Sequence, residues 1–402
     1  YQLVDIQSIF PLIMLWAIGG VIALCGALSY SELATIYPRS GGEYHLLSVI
    51  IHPSIGFAAG IVSATVGFTA PSVLASIAFG NYLSPLIPFI DPRIIALIVI
   101  ISIHYLHMTD IRWGIIFQDS FTLIKIGLIL FFIIFGFLVE TNEQISIVPA
   151  TGDIKIILSP EFAISLIWVS YAYTGWNSSV YIAGEIEKPK INIPKSMIIA
   201  TMFVTVLYLL LNYIFLYTTP IDLMIGKVEV GYIVGKQIFG HFGGKIISLG
   251  ISILLLSTVS SYIYIGPRIM HAMGEDHKIL RILSSKNASG IPIKSFWIQL
   301  VISIIFILTS TFEQVLLYAG ISLIITTVFS VIALFVLRIT EPNLKRTYKV
   351  VGFPITPILY LILNGWILHY SFQRAFSESL IGCVIFLIGV ALYFISTKLG
   401  RK

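Results

Sequence analysis

Runs of apolar residues, most of them long enough to cross a bilayer, recur along this chain, and that recurrence constrains its fold more than any other feature. A helix rises about 1.5 Å per residue, so about 20 residues cross the roughly 30 Å hydrocarbon core of a bilayer. Inside that core an unpaired backbone N–H or C=O is costly, so only helices and closed barrels span it. Runs this long exceed a barrel strand and predict helices. Eleven can be placed: Ile9–Tyr37, Ile55–Leu86, Ile94–Leu106, Gly114–Val139, Phe162–Ala183, Met197–Leu216, Ile246–Met270, Ser295–Leu308, Phe312–Leu337, Ile355–Phe372 and Leu380–Ser396. Ile94–Leu106 and Ser295–Leu308 are short for a full crossing and need flanking residues.

Composition agrees. Charged residues make up 11% of the 402 and hydrophobic ones 57%, where a soluble domain has about 25% charged. The reading is an all-α polytopic membrane protein, residues 1–402 as one membrane domain with no soluble module. The net charge of +5 is spread over loops, which argues against a nucleic-acid partner. Cys25 and Cys383 both fall in apolar runs, so no disulfide framework or cysteine metal site is expected. Walker, dinucleotide and zinc-protease motifs are missing, so neither ATP-driven transport nor enzymatic chemistry is expected, and no cofactor is called for.

Basic residues set the orientation. Sixteen Lys and Arg fall in the loops after the first, third, fifth, seventh, ninth and eleventh runs, against six in the alternate loops. That places the C-terminus in the cytoplasm of a multi-pass cell-membrane protein and Tyr1 outside. One further helix upstream would return the N-terminus to the cytoplasm and bring the count to twelve. Between the sixth and seventh runs, Pro220 to Gly244 alternates polar and apolar residues and predicts a short amphipathic helix.

The fifth run is unlike a lipid-facing helix. Its centre reads Trp168-Val-Ser-Tyr-Ala-Tyr-Thr-Gly-Trp-Asn-Ser-Ser-Val180, with hydroxyls, an amide, a glycine and aromatic rings crowded together. A helix broken here would free backbone groups to hold both ends of a zwitterion. A helix packed in a bundle through small polar residues accounts for the same composition. Lys125, twelfth residue of a 26-residue run, sits near mid-depth. A charge there costs at least about 2.5 kcal/mol to insert and faces the bundle interior. It is either a cation that couples proton movement to transport or a structural lysine tied to carbonyls or a carboxylate. Ser257, Thr258, Ser260 and Ser261 crowd one run, and read equally as an ion or cavity site and as helix contacts. Glu32 is expected to form a salt bridge or cap a gate, and Asp119 to sit at the interface. His104 and His107, spaced i, i+3 without a carboxylate, read as interfacial rather than metal-binding. Glu185 and Glu187 read as solvated.

The motifs together resemble the amino acid–polyamine–organocation permeases. Ser29-Tyr-Ser-Glu-Leu33 and Pro38-Arg-Ser-Gly-Gly-Glu-Tyr44 resemble their second helix and following loop. Tyr171-Ala-Tyr-Thr-Gly-Trp-Asn177 with Ala183-Gly-Glu-Ile-Glu-Lys-Pro-Lys-Ile-Asn-Ile-Pro194 resembles the sixth helix and its tail. Gln118 to Lys125 resembles the start of the fifth helix, and Gly266-Pro-Arg-Ile-Met-His-Ala-Met273 the end of the eighth. The resemblance implies twelve helices on the sodium-coupled leucine transporter fold, two inverted five-helix repeats. This chain then holds helices two to twelve: residues 1–140 from the first repeat, 160–338 as the second, and 354–396 as two extra helices. It implies that Tyr171, Ala172, Tyr173, Thr174, Gly175, Trp176 and Asn177 bind substrate, with carbonyls taking the ammonium and Tyr171 or Trp176 as an aromatic gate. It implies that Lys125 stands where sodium-independent relatives keep a lysine, favouring exchange or proton coupling. The Thr-Gly-Trp-Asn stretch is most similar to the neutral amino acid exchangers, and the break lacks an acid for a dibasic substrate. The expected function is secondary transport of neutral L-amino acids by alternating access. Polyamines or organic cations are the alternative substrates, a solute channel or embedded enzyme the rival classes, and any partner subunit stays open.

Overall fold

The computed structural model describes residues 2–109, 112–140 and 147–400, with side chains described except at 112–119 and 399–400. Every regular element among them is a helix. After a single turn at Gln2–Asp5 come α1 (Ile9–Ile36), α2 (Gly42–Ile50), α3 (Pro53–Leu83), α4 (Pro92–Thr109), α5 (Arg112–Leu138), α6 (Pro160–Ala172) and α7 (Ser178–Tyr181). Then follow α8 (Pro189–Thr218), α9 (Val230–Asp276), α10 (Ile293–Thr309), α11 (Phe312–Thr340), α12 (Ile355–Arg374) and α13 (Phe376–Gly400). Among the described residues nine helices are long and apolar enough to cross a membrane. α10 has 17 residues, about 25 Å of rise, and falls short of a full crossing. The expected fifth span exists as two pieces, α6 and α7.

Local sequence explains the boundaries. Pro38 follows α1, and Gly41 and Gly42 take φ of 133° and 57°, so the chain reverses where only glycine does so cheaply. α6 begins on Ser159, whose Oγ accepts the Phe162 N–H at 3.2 Å, with Pro160 in the first turn. α11 begins on a capping box of Thr311 and Gln314. In α3 a π-turn covers Ser63–Gly67, and Thr69 Oγ1 donates to the Ala64 carbonyl at 2.9 Å. Pro71 lacks the N–H that would have reached the Gly67 carbonyl, which is reason enough for the ladder to shift there.

A short helix does form within 220–244, where one was predicted. Ile221–Met224 is one turn, and a helix starts at Val230 and breaks at Gly240, whose φ of 73° and ψ of −179° are not helical. The chain reverses there, so that Gly244 lies against Lys236 and Gly235 against Ile247 before the long membrane part of α9.

α1 lies centrally, packed against α6, α8, α11 and α12. Its inner face is thin. A Cβ at Gly19 would fall 2.4 Å from Val169 of α6, and one at Gly26 2.7 Å from the Trp176 ring. Outer faces of α5, α8 and α13 expose Leu123, Ile134, Phe203, Val206, Leu387 and Ile388. That arrangement suits a lipid surround, where helices pack through small residues rather than by excluding water.

A clamp closes the end of the bundle where basic residues concentrate. Glu32 of α1 is fully buried and accepts from Arg338 of α11, Nε at 3.0 Å and Nη2 at 2.6 Å. Arg346 Nε sits 3.1 Å away as an ion pair outside hydrogen-bond alignment, and the Val350 N–H donates at 2.8 Å. Arg338 also lies 3.8 Å over the Phe353 ring.

Candidate functional site

α6 stops at Ala172, and residues 173–177 form turns before α7 resumes for one turn. Gly175 takes φ of 102°, a conformation that costs an L-residue about 1–2 kcal/mol. The ladder is replaced by local bonds. Thr174 N–H and Oγ1 both donate to the Tyr171 carbonyl, at 3.0 and 2.7 Å, and the Tyr208 hydroxyl donates to the Ala172 carbonyl at 3.1 Å. The Ser178 N–H reaches the Gly175 carbonyl at 3.0 Å. The break therefore falls inside the protein, where side chains of other helices meet the freed groups.

A small cavity of about 80 Å³ lies against the break. Ser170 to Tyr171 and Tyr173 to Ser178 line it from the broken helix, with Ala23, Tyr262, Thr327, Tyr360 and Asn364 among the opposing residues. No lining residue is charged. The Ser170 and Tyr171 hydroxyls have no hydrogen-bond partner among the described residues, unusual for buried polar atoms. Of the residues picked from sequence, Ala172 faces neighbouring cavities of about 320 and 590 Å³ instead. Trp176 stands edge-on to Tyr30 at 4.9 Å and near Tyr360 at 6.5 Å, covering one side. The Tyr173 hydroxyl donates to the Trp16 carbonyl at 3.0 Å.

Lys125 and the hydroxyl cluster meet. Its Nζ lies 2.9 Å from Thr258 Oγ1 and 3.4 Å from Ser257 Oγ, joining α5 to α9. It pairs with no carboxylate among the described residues. The partners are hydroxyls rather than the carbonyls of a broken helix. The other two hydroxyls go elsewhere. Ser260 bonds His107 Nε2 at 2.8 Å, and Ser261 donates to the Ser257 carbonyl at 2.7 Å. His104 is buried with Nδ1 2.8 Å from the Ile100 carbonyl, so the two histidines serve different partners. Glu185 and Glu187 are exposed. The side chain of Asp119 and residue Tyr1 lie outside the described residues.

Three features of the site escaped the sequence reading. Gly19 and Gly26 sit seven apart on one face of α1, a spacing that marks a close helix contact in retrospect. Tyr262, Tyr360 and Asn364 come from distant helices and carry no local signal. Glu43, read only as part of a loop motif, is buried and accepts from the Asn177 amide at 2.6 Å.

Comparison with known proteins fits this geometry. A profile described as amino acid permease matches residues 3–399. The large neutral amino acids transporter small subunit 2 of Mus musculus is 25% identical over 402 residues, covering 97% of this chain and 75% of that protein. The b(0,+)-type amino acid transporter 1 of Mus musculus is 24% identical, covering 98% and 82%. The serine/threonine exchanger SteT of Bacillus subtilis is 24% identical, covering 94% and 87%.

Proposed function

This chain belongs to the amino acid permease family, and from that premise we propose that it is a secondary transporter that exchanges neutral L-amino acids across the cell membrane. The observation that carries the reading is the uncharged cavity at a helix broken on Gly175. α6 ends there, and the carbonyl end of a helix carries roughly half a negative charge, which suits an ammonium group. The unpaired hydroxyls of Ser170 and Tyr171 stand beside it. Residues 171–177 then supply the substrate's ammonium side, with Trp176 as the cover. The uncharged wall suits a neutral side chain, since a second ammonium would have no carboxylate to meet. That favours neutral amino acids over polyamines and organic cations. One of the similar proteins is named an exchanger, which agrees with exchange.

Alternating access would move residues 160–338 and 1–140 as two inverted halves, with 354–396 outside them. The basic end, holding the Glu32 clamp and the C-terminus, faces the cytoplasm in this reading. Lys125 couples the cycle by holding α5 to α9 through Ser257 and Thr258.

The test is uptake of a panel of labelled amino acids into liposomes, empty or preloaded, with and without a pH gradient. Saturable uptake of neutral amino acids that requires preloading is expected. Uptake of polyamines but no amino acid would replace the substrate class. Lys125→Ala is expected to fold and lose most transport. Normal uptake with normal pH dependence in that variant would remove the coupling role.

A further inference from the structure

Glu43 sits in the first turn of α2, just after the paired glycines, and is 2% exposed. Its Oε1 accepts from the Tyr30 hydroxyl of α1 at 3.1 Å and the Asn177 amide at 2.6 Å, and its Oε2 accepts from the Tyr181 hydroxyl of α7. All three donors are neutral. Among the described residues no basic side chain lies within ion-pair distance.

The charged groups on the elements around it are engaged elsewhere: on α9, Arg268 lies over the Tyr264 ring and His271 pairs with Glu275. α3 has no charged residue along its length and reaches the group only through Ser63, which hydrogen-bonds Tyr181 at 3.3 Å. α11 carries Glu313 and Arg338 alone, and Arg338 is held by Glu32. α12 faces the group with Tyr360. Nearby, Arg39 pairs with Asp276 at 3.3 Å, the Tyr44 hydroxyl bonds Asp276 and His277, and His45 lies against the Tyr37 ring.

A buried carboxylate without a cation tends to take up a proton rather than stay charged. Burial pushes the Glu43 carboxyl above the ordinary carboxylate range. The neutral acid fits the same geometry. Oε1 keeps both of its donors, the new O–H donates to the Tyr181 oxygen, and the Tyr181 proton turns to Ser63. No partner is lost.

We propose that Glu43 is a proton-binding site of the transport cycle, holding a proton while α7 is packed against it and releasing it when that packing opens and water enters. The proposal rests on the transport reading above. The bonds to Asn177 and Tyr181 grip both sides of the turn that follows the break. Opening would strip those partners and hydrate the carboxyl, which then ionises more readily. Because the packed state binds the proton more tightly, acid favours packing and alkali favours opening. This site differs from Lys125, which lies on α5 against α9.

A buried reporter reads opening without requiring transport. Val180 is 1% exposed, so Val180→Cys, with Cys25 and Cys383 replaced by Ala, should react with a small maleimide only when α7 moves away. In otherwise unaltered protein the labelling rate should rise about tenfold or more between about pH 5 and pH 8, since linkage permits up to tenfold per unit. Glu43→Gln mimics the neutral acid and should label slowly and evenly across that range. A Glu43→Gln protein that keeps the original pH profile overturns the proposal, as does an unaltered protein with no pH profile. Should Glu43→Gln fail to fold, Tyr181→Phe removes a donor to the ionised form and should move the midpoint to higher pH. An unmoved midpoint then overturns it. Absence of amino acid flux in the liposome assay would sink the transport reading separately, leaving the labelling result interpretable.

Discussion

Glu32 and Glu43 stand eleven residues apart, and both are buried carboxylates at the same end of the molecule, yet the structure treats them oppositely. Glu32 meets two guanidinium groups and a backbone N–H. Glu43 meets two hydroxyls and an amide. A carboxylate gripped by two guanidinium groups is held by charge as well as by hydrogen bonds. A carboxylate facing only neutral donors gains or loses a proton with small rearrangement. The first tethers α1 to α11 and the segment after it. The second joins α1 and α2 to the turn beside the broken helix. The two sites thus differ by the partners of one functional group rather than by burial.

Removing Glu32 should have the largest effect. Glu32→Ala leaves two arginines without their anion, and breaking such a buried pair costs about 3–5 kcal/mol. Thermal unfolding in detergent should show a loss of that size, while Glu43→Gln should lose far less. Equal losses would erase the distinction. Next comes the hinge itself. Gly175→Val puts a β-branched residue at φ of 102°, which strains the break by about 1–2 kcal/mol. Substrate affinity should fall at least about fivefold, the factor equivalent to 1 kcal/mol, while the Glu32 clamp keeps the fold. Unchanged affinity would displace the site from this turn. The smallest effect is a stability change with pH. Glu43 has a raised folded-state value, so its contribution is full below the unfolded value of about 4.3 and is lost as pH rises through the folded one. Stability should therefore drift downward over that window in the wild type and not in Glu43→Gln. A downward drift shared by both would assign it to other groups.

Much of the scaffold could be read from the chain. Each apolar run but the fifth corresponds to one helix, because runs of that length have no alternative in a bilayer, and the fifth is split into α6 and α7. The break at Tyr173 to Asn177 was half visible: polar residues and a glycine stood where lipid demands apolar ones, but an unbroken helix packed through small polar residues fits the same composition. The meeting of Lys125 with Ser257 and Thr258 was half visible: each side stood out as polar at membrane depth, but nothing local said that they touch. The partners of Glu32 and Glu43 could not be read. Arg338 is 306 positions from Glu32, and Tyr181 is 138 from Glu43. A glutamate in a short Gly-rich loop looks solvated until the fold brings α7 against it.

The uncharged wall around Gly175 has an electrical consequence. A zwitterion that enters one side and leaves the other through such a cavity carries no net charge across the field. The membrane potential is worth about 2.3 kcal/mol per charge per 100 mV, and none of it acts on that cargo. One-for-one exchange through this cavity is then indifferent to voltage. It brings the inside-to-outside ratios of its substrates toward one shared value, so the direction of flow is set by which amino acid the cell makes or consumes.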